Sequence, residues 1–398
     1  MKYFNQLLFI SLLFSLSLFS QNHNDFHKKL LTLDSHTDTP LMLGSEGFDF
    51  GRWNNPDEGG GRIDLVRMEE GGLDAVFFAV FIGQGNRTEE GNLKAKVRAD
   101  AIFDNIDATV KANAENIVLA TSPADARRNA ITGKKSIFIG IENGYPIGND
   151  LRLIENYYQK GARYITLCHS KNNDICDSST DSTEHHGLST FGEEVVNEMN
   201  RLGMMIDVSH ISDEAFFDVM KLTKTPVIAS HSNARAICKH PRNLTDDMLL
   251  ELKKNGGVVQ VCVLSAYVKN QAPNPEKEKA VEALRSKYNN FNDISEDQMK
   301  LARQEWRAIE KKYKGELASV SDLVDHIDHI VQLIGIDHVG FGSDFDGGGE
   351  LSDCKDISQL ENITTELLNR GYSADDIQKF WSGNFLRVFE QVESFRTN

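Results

Sequence analysis

The chain has 398 residues, and its 59 Asp and Glu outnumber its 43 Lys and Arg, leaving a net charge of −16. Hydrophobic residues at 40% and charged ones at 26% are the proportions of a soluble globular protein, which excludes a collagenous, coiled-coil or polytopic membrane chain. No nucleic acid is expected as a partner, because phosphate binding needs a basic face; an anionic substrate would have to meet positive charge supplied locally, by a metal or a placed Arg.

The opening, Met1-Lys2-Tyr3 followed by the 13 uncharged residues Leu7–Phe19 and then Ser20-Gln21, predicts a secretory signal peptide over residues 1–20. The apolar run is too short for a comfortable membrane span. No Cys stands near it to carry a lipoprotein anchor, and Val388–Asn398 is too polar for a lipid-anchor tail. The expectation is an exported protein, periplasmic or secreted, with no stable membrane anchor and a single domain over 21–398. Its five Cys are odd in number and form no C-x-x-C, so neither a disulfide scaffold nor a zinc ribbon is indicated. Cys168 and Cys262 lie in apolar runs and read as core.

Eight short apolar runs follow in chain order: Leu30–Leu33, Leu73–Ile82, Ser136–Ile141, Tyr164–Cys168, Met204–Val208, Pro226–Ala229, Val258–Val263 and Val339–Phe341. They do not alternate with polar residues, as parallel strands buried on both faces do not. The stretches between them have helical periodicity. Thr190 to Glu193 reads as a capping box ahead of Val195, Val196, Met199 and Leu202, and Thr245–Lys254 and Ser321–Leu333 are similar. Eight strand–helix units predict an α/β fold, a (β/α)8 TIM barrel. A charged, helix-prone excursion over Asn274–Leu317, before the last strand, reads as a surface hairpin or a lid.

In such a barrel the active site lies at the C-terminal ends of the strands. Those ends carry Asp34-Ser35-His36-Thr37-Asp38, Glu142-Asn143-Gly144, Cys168-His169-Ser170, Asp207-Val208-Ser209-His210, Ser230-His231-Ser232 and Ser343-Asp344-Phe345-Asp346. His and carboxylate ligands converging on one mouth suit a divalent ion, zinc above all. His36 and Asp38, two apart on an extended segment, face one side and can grip one ion. His210 and His231 can grip a second, and Glu142 can bridge both together with a shared hydroxide. Asp207 reads as an orienting residue and Asp346 as loop. His185 and His186 read as exposed, His326 and His329 as packing or solvent contacts, and His338 as lying at the opposite end of the barrel.

These motifs, with Arg62-Ile63-Asp64-Leu65 and Pro241-Arg242-Asn243, together resemble the membrane (renal) dipeptidase family from about Leu33 to the C-terminus. The resemblance implies a binuclear zinc peptidase that hydrolyses dipeptides carrying a free C-terminal carboxylate. It implies two Zn2+, held by His36 and Asp38 and by His210 and His231, bridged by Glu142 and a hydroxide. It also implies that His169 contacts the substrate carbonyl, that Arg242 and Tyr267 (at the end of the seventh strand) bind the carboxylate, and that Asp344 shuttles the proton. Cys168 departs from the family, where Thr is common, and the loop after Lys171 differs from that of animal members. A metal-dependent amidase or deacylase on the same barrel is the alternative, and a non-catalytic binding protein a more distant one. A homodimer is compatible with either.

Overall fold

The computed structural model describes residues 25–289, 294–313 and 315–397, and the expected signal peptide, residues 1–20, lies outside them. Among the described residues nine strands form one parallel sheet: β1 (Leu33–Thr37), β2 (Ala75–Phe81), β3 (Ile117–Leu119), β4 (Lys135–Glu142), β5 (Ala162–Thr166), β6 (Met205–Asp207), β7 (Ile228–Ala229), β8 (Val258–Val261) and β9 (Val339–Phe341). Eight of them run in the order β1-β2-β4-β5-β6-β7-β8-β9. A parallel bridge from Thr37 to Phe345 draws the two ends together. There the Asp38 N–H donates to the Phe345 carbonyl and the Asp344 N–H to that of His36, each at 3.0 Å. The expected barrel is therefore the architecture found. β3 is the strand the apolar runs did not reveal: it pairs only with Lys135–Ile137, the stretch of β4 that precedes β5 pairing.

Both faces of the strands are buried, which is why their composition does not alternate. Leu33, Phe77, Phe138, Tyr164, Met205, Ile228 and Val258 share one interior cluster with Phe385, Phe389 and Val392 of the C-terminal helix Asn384–Ser394. Val76, Phe78 and Val80 belong instead to the larger cluster that includes residues of the surrounding helices. In the interior, Phe77 stacks on Phe138 at 4.8 Å and stands edge-on to Phe385 at 5.2 Å. Apolar packing thus fills the barrel below the chemistry and leaves the opposite mouth to polar residues.

Several local expectations shift. β1 lies three residues later than the Leu30–Leu33 run, so His36 is inside the strand. The polar residues that hid it are buried and hydrogen-bonded, with Asp34 Oδ1 accepting from the N–H groups of Ser343 and His36. The helix Thr190–Leu202 is capped one residue earlier than expected, by Ser189, whose hydroxyl accepts from the Gly192 N–H. His185 is half-buried rather than exposed, with Nε2 2.8 Å from the Asn173 carbonyl. Tyr267 lies in a short helix, Ser265–Val268, beyond β8. The excursion is a hairpin of helices Pro275–Lys287 and Glu296–Lys312, with a small core of its own around Leu284, Tyr288 and Ala302.

Candidate active site

The polar mouth is assembled from the C-terminal ends of six strands. His36 is in β1 and Asp38 just beyond it, while Glu142 is the last residue of β4. His169, His210, His231 and Asp344 follow β5, β6, β7 and β9. Three backbone turns aim these groups: Asn143 after Glu142, His210 and Asp344 have φ of 75°, 73° and 60°. Left-handed non-glycine backbone costs free energy and tends to gather where function needs a particular aim.

Glu142 is the centre. Its Oε1 lies 3.1 Å from His210 Nε2, 3.6 Å from His231 Nε2 and 3.8 Å from His169 Nε2, and its Oε2 lies 3.4 Å from His36 Nε2. The Nε2 atoms of His210 and His231 are 2.8 Å apart. Three overlapping groups have donor atoms close enough to share an ion: His36, Glu142 and His231; Glu142, His169 and His210; and His36, Asp38 and Asp344. All nine residues expected at the site converge on it, Arg242 and Tyr267 from the side. His185, His326, His329 and His338 do not. His326 is buried, between the Ala234 N–H and the Val268 carbonyl, and His338 bonds to the carbonyl of Gly257.

The charges of the cluster suit a cation. Burial alone would lower the His36 imidazole, yet Glu142 outweighs it and lifts it to about 10. Burial and then the Glu142 charge push Asp38 well above the carboxylate range, and burial takes Asp344 up to about 7. Burial also resists ionisation of Glu142, but His36 and its neighbours overcome it and hold the group well below the usual range. His210 and His231 are pressed well below an ordinary imidazole by burial, then by Arg242 for the first and His36 for the second. Neutral imidazoles beside carboxylates make a donor set for a cation.

His36 Nε2, Glu142 Oε2 and Asp38 Oδ1 are buried without a hydrogen-bond partner, a condition that is costly unless something positive satisfies them. A tetrahedral zinc with bonds of ~2.1 Å sets its ligands roughly 3.4 Å apart, and the distances of 3.1–3.8 Å around Glu142 bracket that value. The residues fit a metal.

Beside the cluster, Arg242 is buried. It donates to the Ser232 hydroxyl at 3.3 Å and the His231 carbonyl at 3.0 Å, while its Nε has no acceptor. Its guanidinium lies 5.3 Å from the Tyr267 ring, and no carboxylate among the described residues pairs with it. Two residues that sequence reading did not select, Tyr164 and Ser230, touch the far sides of the His36 and His231 rings. Tyr164 looked like one more apolar strand residue, and Ser230 carried no signal of its own.

A family model described as membrane dipeptidase (peptidase family M19) matches residues 20–398. Dipeptidase aclJ of Aspergillus oryzae is 33% identical over 343 residues, which span 85% of this chain and 71% of that protein. The crystal structure of the probable dipeptidase PvdM from Pseudomonas aeruginosa is 31% identical, with a TM-score of 0.82 over 95% of this chain and 99% of that one. A Rhodobacter sphaeroides metallopeptidase, solved with a phosphinate mimic of the dipeptide L-Ala-D-Ala, shares the fold at 23% identity and a TM-score of 0.73, covering 91% and 99% of the two chains.

Proposed function

The chain belongs to the membrane dipeptidase family and is a metallo-dipeptidase; from that premise we propose how its own residues divide the work. The observation that carries the reading is the central Glu142 carboxylate, faced on one oxygen by His36 and on the other by His210 and His231, with unpaired buried atoms on the His36 side. His36 and Asp38 would hold one ion, His210 and His231 a second, and Glu142 would contribute to both. By donor chemistry the ions would be zinc. When bound, such a pair lowers the pKa of water and polarises the peptide carbonyl.

The protein groups do the rest. His169 is the partly exposed member of the cluster, its Nε2 directed inward and its Nδ1 2.9 Å from the Ser170 hydroxyl. With Ser170 donating to Nδ1, Nε2 keeps its proton and can donate to the carbonyl oxygen as charge builds there. Asp344 accepts a proton from the attacking water and returns it to the leaving nitrogen. Arg242, held by Ser232 and the His231 carbonyl, has Nε and further N–H groups left for the substrate's terminal carboxylate, with Tyr267 bordering the same space. A bidentate clamp fixes the distance from that carboxylate to the scissile bond. The opening segment supports export, which N-terminal sequencing of the recovered protein tests: a mature start near residue 21 is expected.

The deciding experiment joins metal analysis to a three-substrate comparison. Two ions per chain are expected. A dipeptide should be cleaved at least ~10²-fold better in kcat/KM than its C-terminal amide or the matching tripeptide, because each of these leaves a buried charge badly paired. Arg242→Met should erase most of that margin. Equal cleavage of all three by the wild type would favour a general amidase or deacylase.

A further inference from the structure

The His36 and His231 rings each turn an unprotonated Nε2 toward Glu142 only if the proton sits on Nδ1, and different neighbours enforce that on each ring. His36 Nδ1 lies 2.9 Å from the Tyr164 hydroxyl, which donates its single proton to the Ser35 carbonyl at 3.2 Å. Having spent that proton, the hydroxyl can only accept, so the Nδ1–H of His36 must donate. His231 Nδ1 lies 2.8 Å from Ser230 Oγ, whose proton goes to Asp207 Oδ2 at 2.6 Å. A carboxylate that also receives the Thr166 hydroxyl and the N–H groups of Ser209 and Ser230 has nothing to give back, so Ser230 Oγ likewise accepts from His231. His210 differs: its Nδ1 is buried with no partner.

Tyr164 is held where this requires. Its ring is fully buried, stacks on Phe77 at 5.3 Å and lies over Gly140, where a Cβ would stand 2.0 Å from the ring. The glycine in β4 is the cradle of the tyrosine in β5.

We propose that Tyr164, seated on Gly140, and the Ser230–Asp207 pair are positioning residues that each lock one imidazole in the Nε2-binding tautomer, and that they serve different ions. The second clause rests on the division of ligands proposed above, with His36 on one ion and His231 on the other. Partners behind a metal-bound histidine are commonly worth 10–100-fold in metal affinity.

Two measurements on the full chain test this. Chelator competition on the zinc-loaded protein should show wild type holding two ions, with one weakened 10–100-fold in Tyr164→Phe, one weakened in Ser230→Ala, and both in the double variant. Imidazole nitrogen NMR of zinc-loaded wild type, which needs no variant to fold, should show both rings protonated at Nδ1 and bound through Nε2. Wild type holding two ions while either single variant keeps both within twofold, or either ring bound through Nδ1, overturns the proposal. A wild type that binds only one ion defeats the two-ion reading instead, and the NMR result still decides the tautomers.

Discussion

Asp344 and Asp38 occupy a space that exists because residue 347 has no side chain: a Cβ on Gly347 would stand 2.2 Å from Asp344 Oδ1 and 2.4 Å from Asp38 Oδ2. Burial lifts Asp344 to about 7, and a cation bound beside it would draw it back toward the ionised form. It is thus placed to accept a proton near neutrality and to give it up again. Asp344→Asn keeps the shape and loses the basicity, so it should retain its metal and lose ~10²–10⁴-fold in kcat. Metal analysis and turnover on the same sample check this, and near-normal turnover at full loading would remove the shuttle. Gly347→Ala should fail differently. Its methyl group displaces Asp38 as well, so metal content should fall before chemistry is tested.

The elements were legible where one physical rule governed them. The runs in β2, β4 and β8 stood out because both faces are apolar. β1 stood out only at Leu33, because its end at the mouth is lined by polar residues that the fold satisfies internally; the apolar run stops at Leu33 while the strand continues to Thr37. The ligand positions do not depend on this, because the two-residue spacing of His36 and Asp38 on an extended segment sets both on one side wherever the strand ends. Of the contacts behind the ligands, Asp207 reads from the sequence as an orienting residue, but the Tyr164 contact is invisible there, since Tyr164 meets His36 across 128 residues. His27 is a similar long-range tie, ahead of β1. Its Nε2 lies 2.9 Å from the Gly71 carbonyl and its Nδ1 2.7 Å from the Thr364 hydroxyl, which itself accepts from Trp381. Burial lowers His27 from 6.5 to about 4. The unfolded chain therefore binds the proton more readily than the folded one. The associated stability is complete above about pH 6.5 and is lost as pH falls toward 4, by about 3 kcal/mol in all. Denaturant unfolding at about pH 7.5 and about pH 4 should show wild type losing roughly that much more than His27→Gln. Equal losses would mean that His27 is not the group responsible.

At the scale of the whole barrel, the site brings together residues from strands that are not neighbours in the sheet. The β1–β9 seam is closed by the Thr37–Phe345 bridge and two backbone hydrogen bonds, and the proposed ligands reach across it from β1, β4 and the ends of β6 and β7. Without cations, His36 Nε2, Asp38 Oδ1 and Glu142 Oε2 are buried with no hydrogen-bond partner, a cost that unfolding relieves. Anything bound only by the folded state stabilises it by RT ln(1 + [L]/Kd), about 4 kcal/mol per ion at a thousandfold excess over Kd. Unfolding entropy of about 2.1 cal/mol/K per residue makes that close to 5 °C in Tm for a domain of this length. Two ions should therefore raise Tm by about 10 °C over chelator-treated protein, and the gain should grow with the logarithm of free zinc. Scanning calorimetry across a zinc titration checks the slope as well as the size. If Tm were unchanged by chelation in a protein shown to have lost its metal, the ligands would be preorganised at no cost, and the unpaired atoms at the mouth would have to be satisfied in some other way.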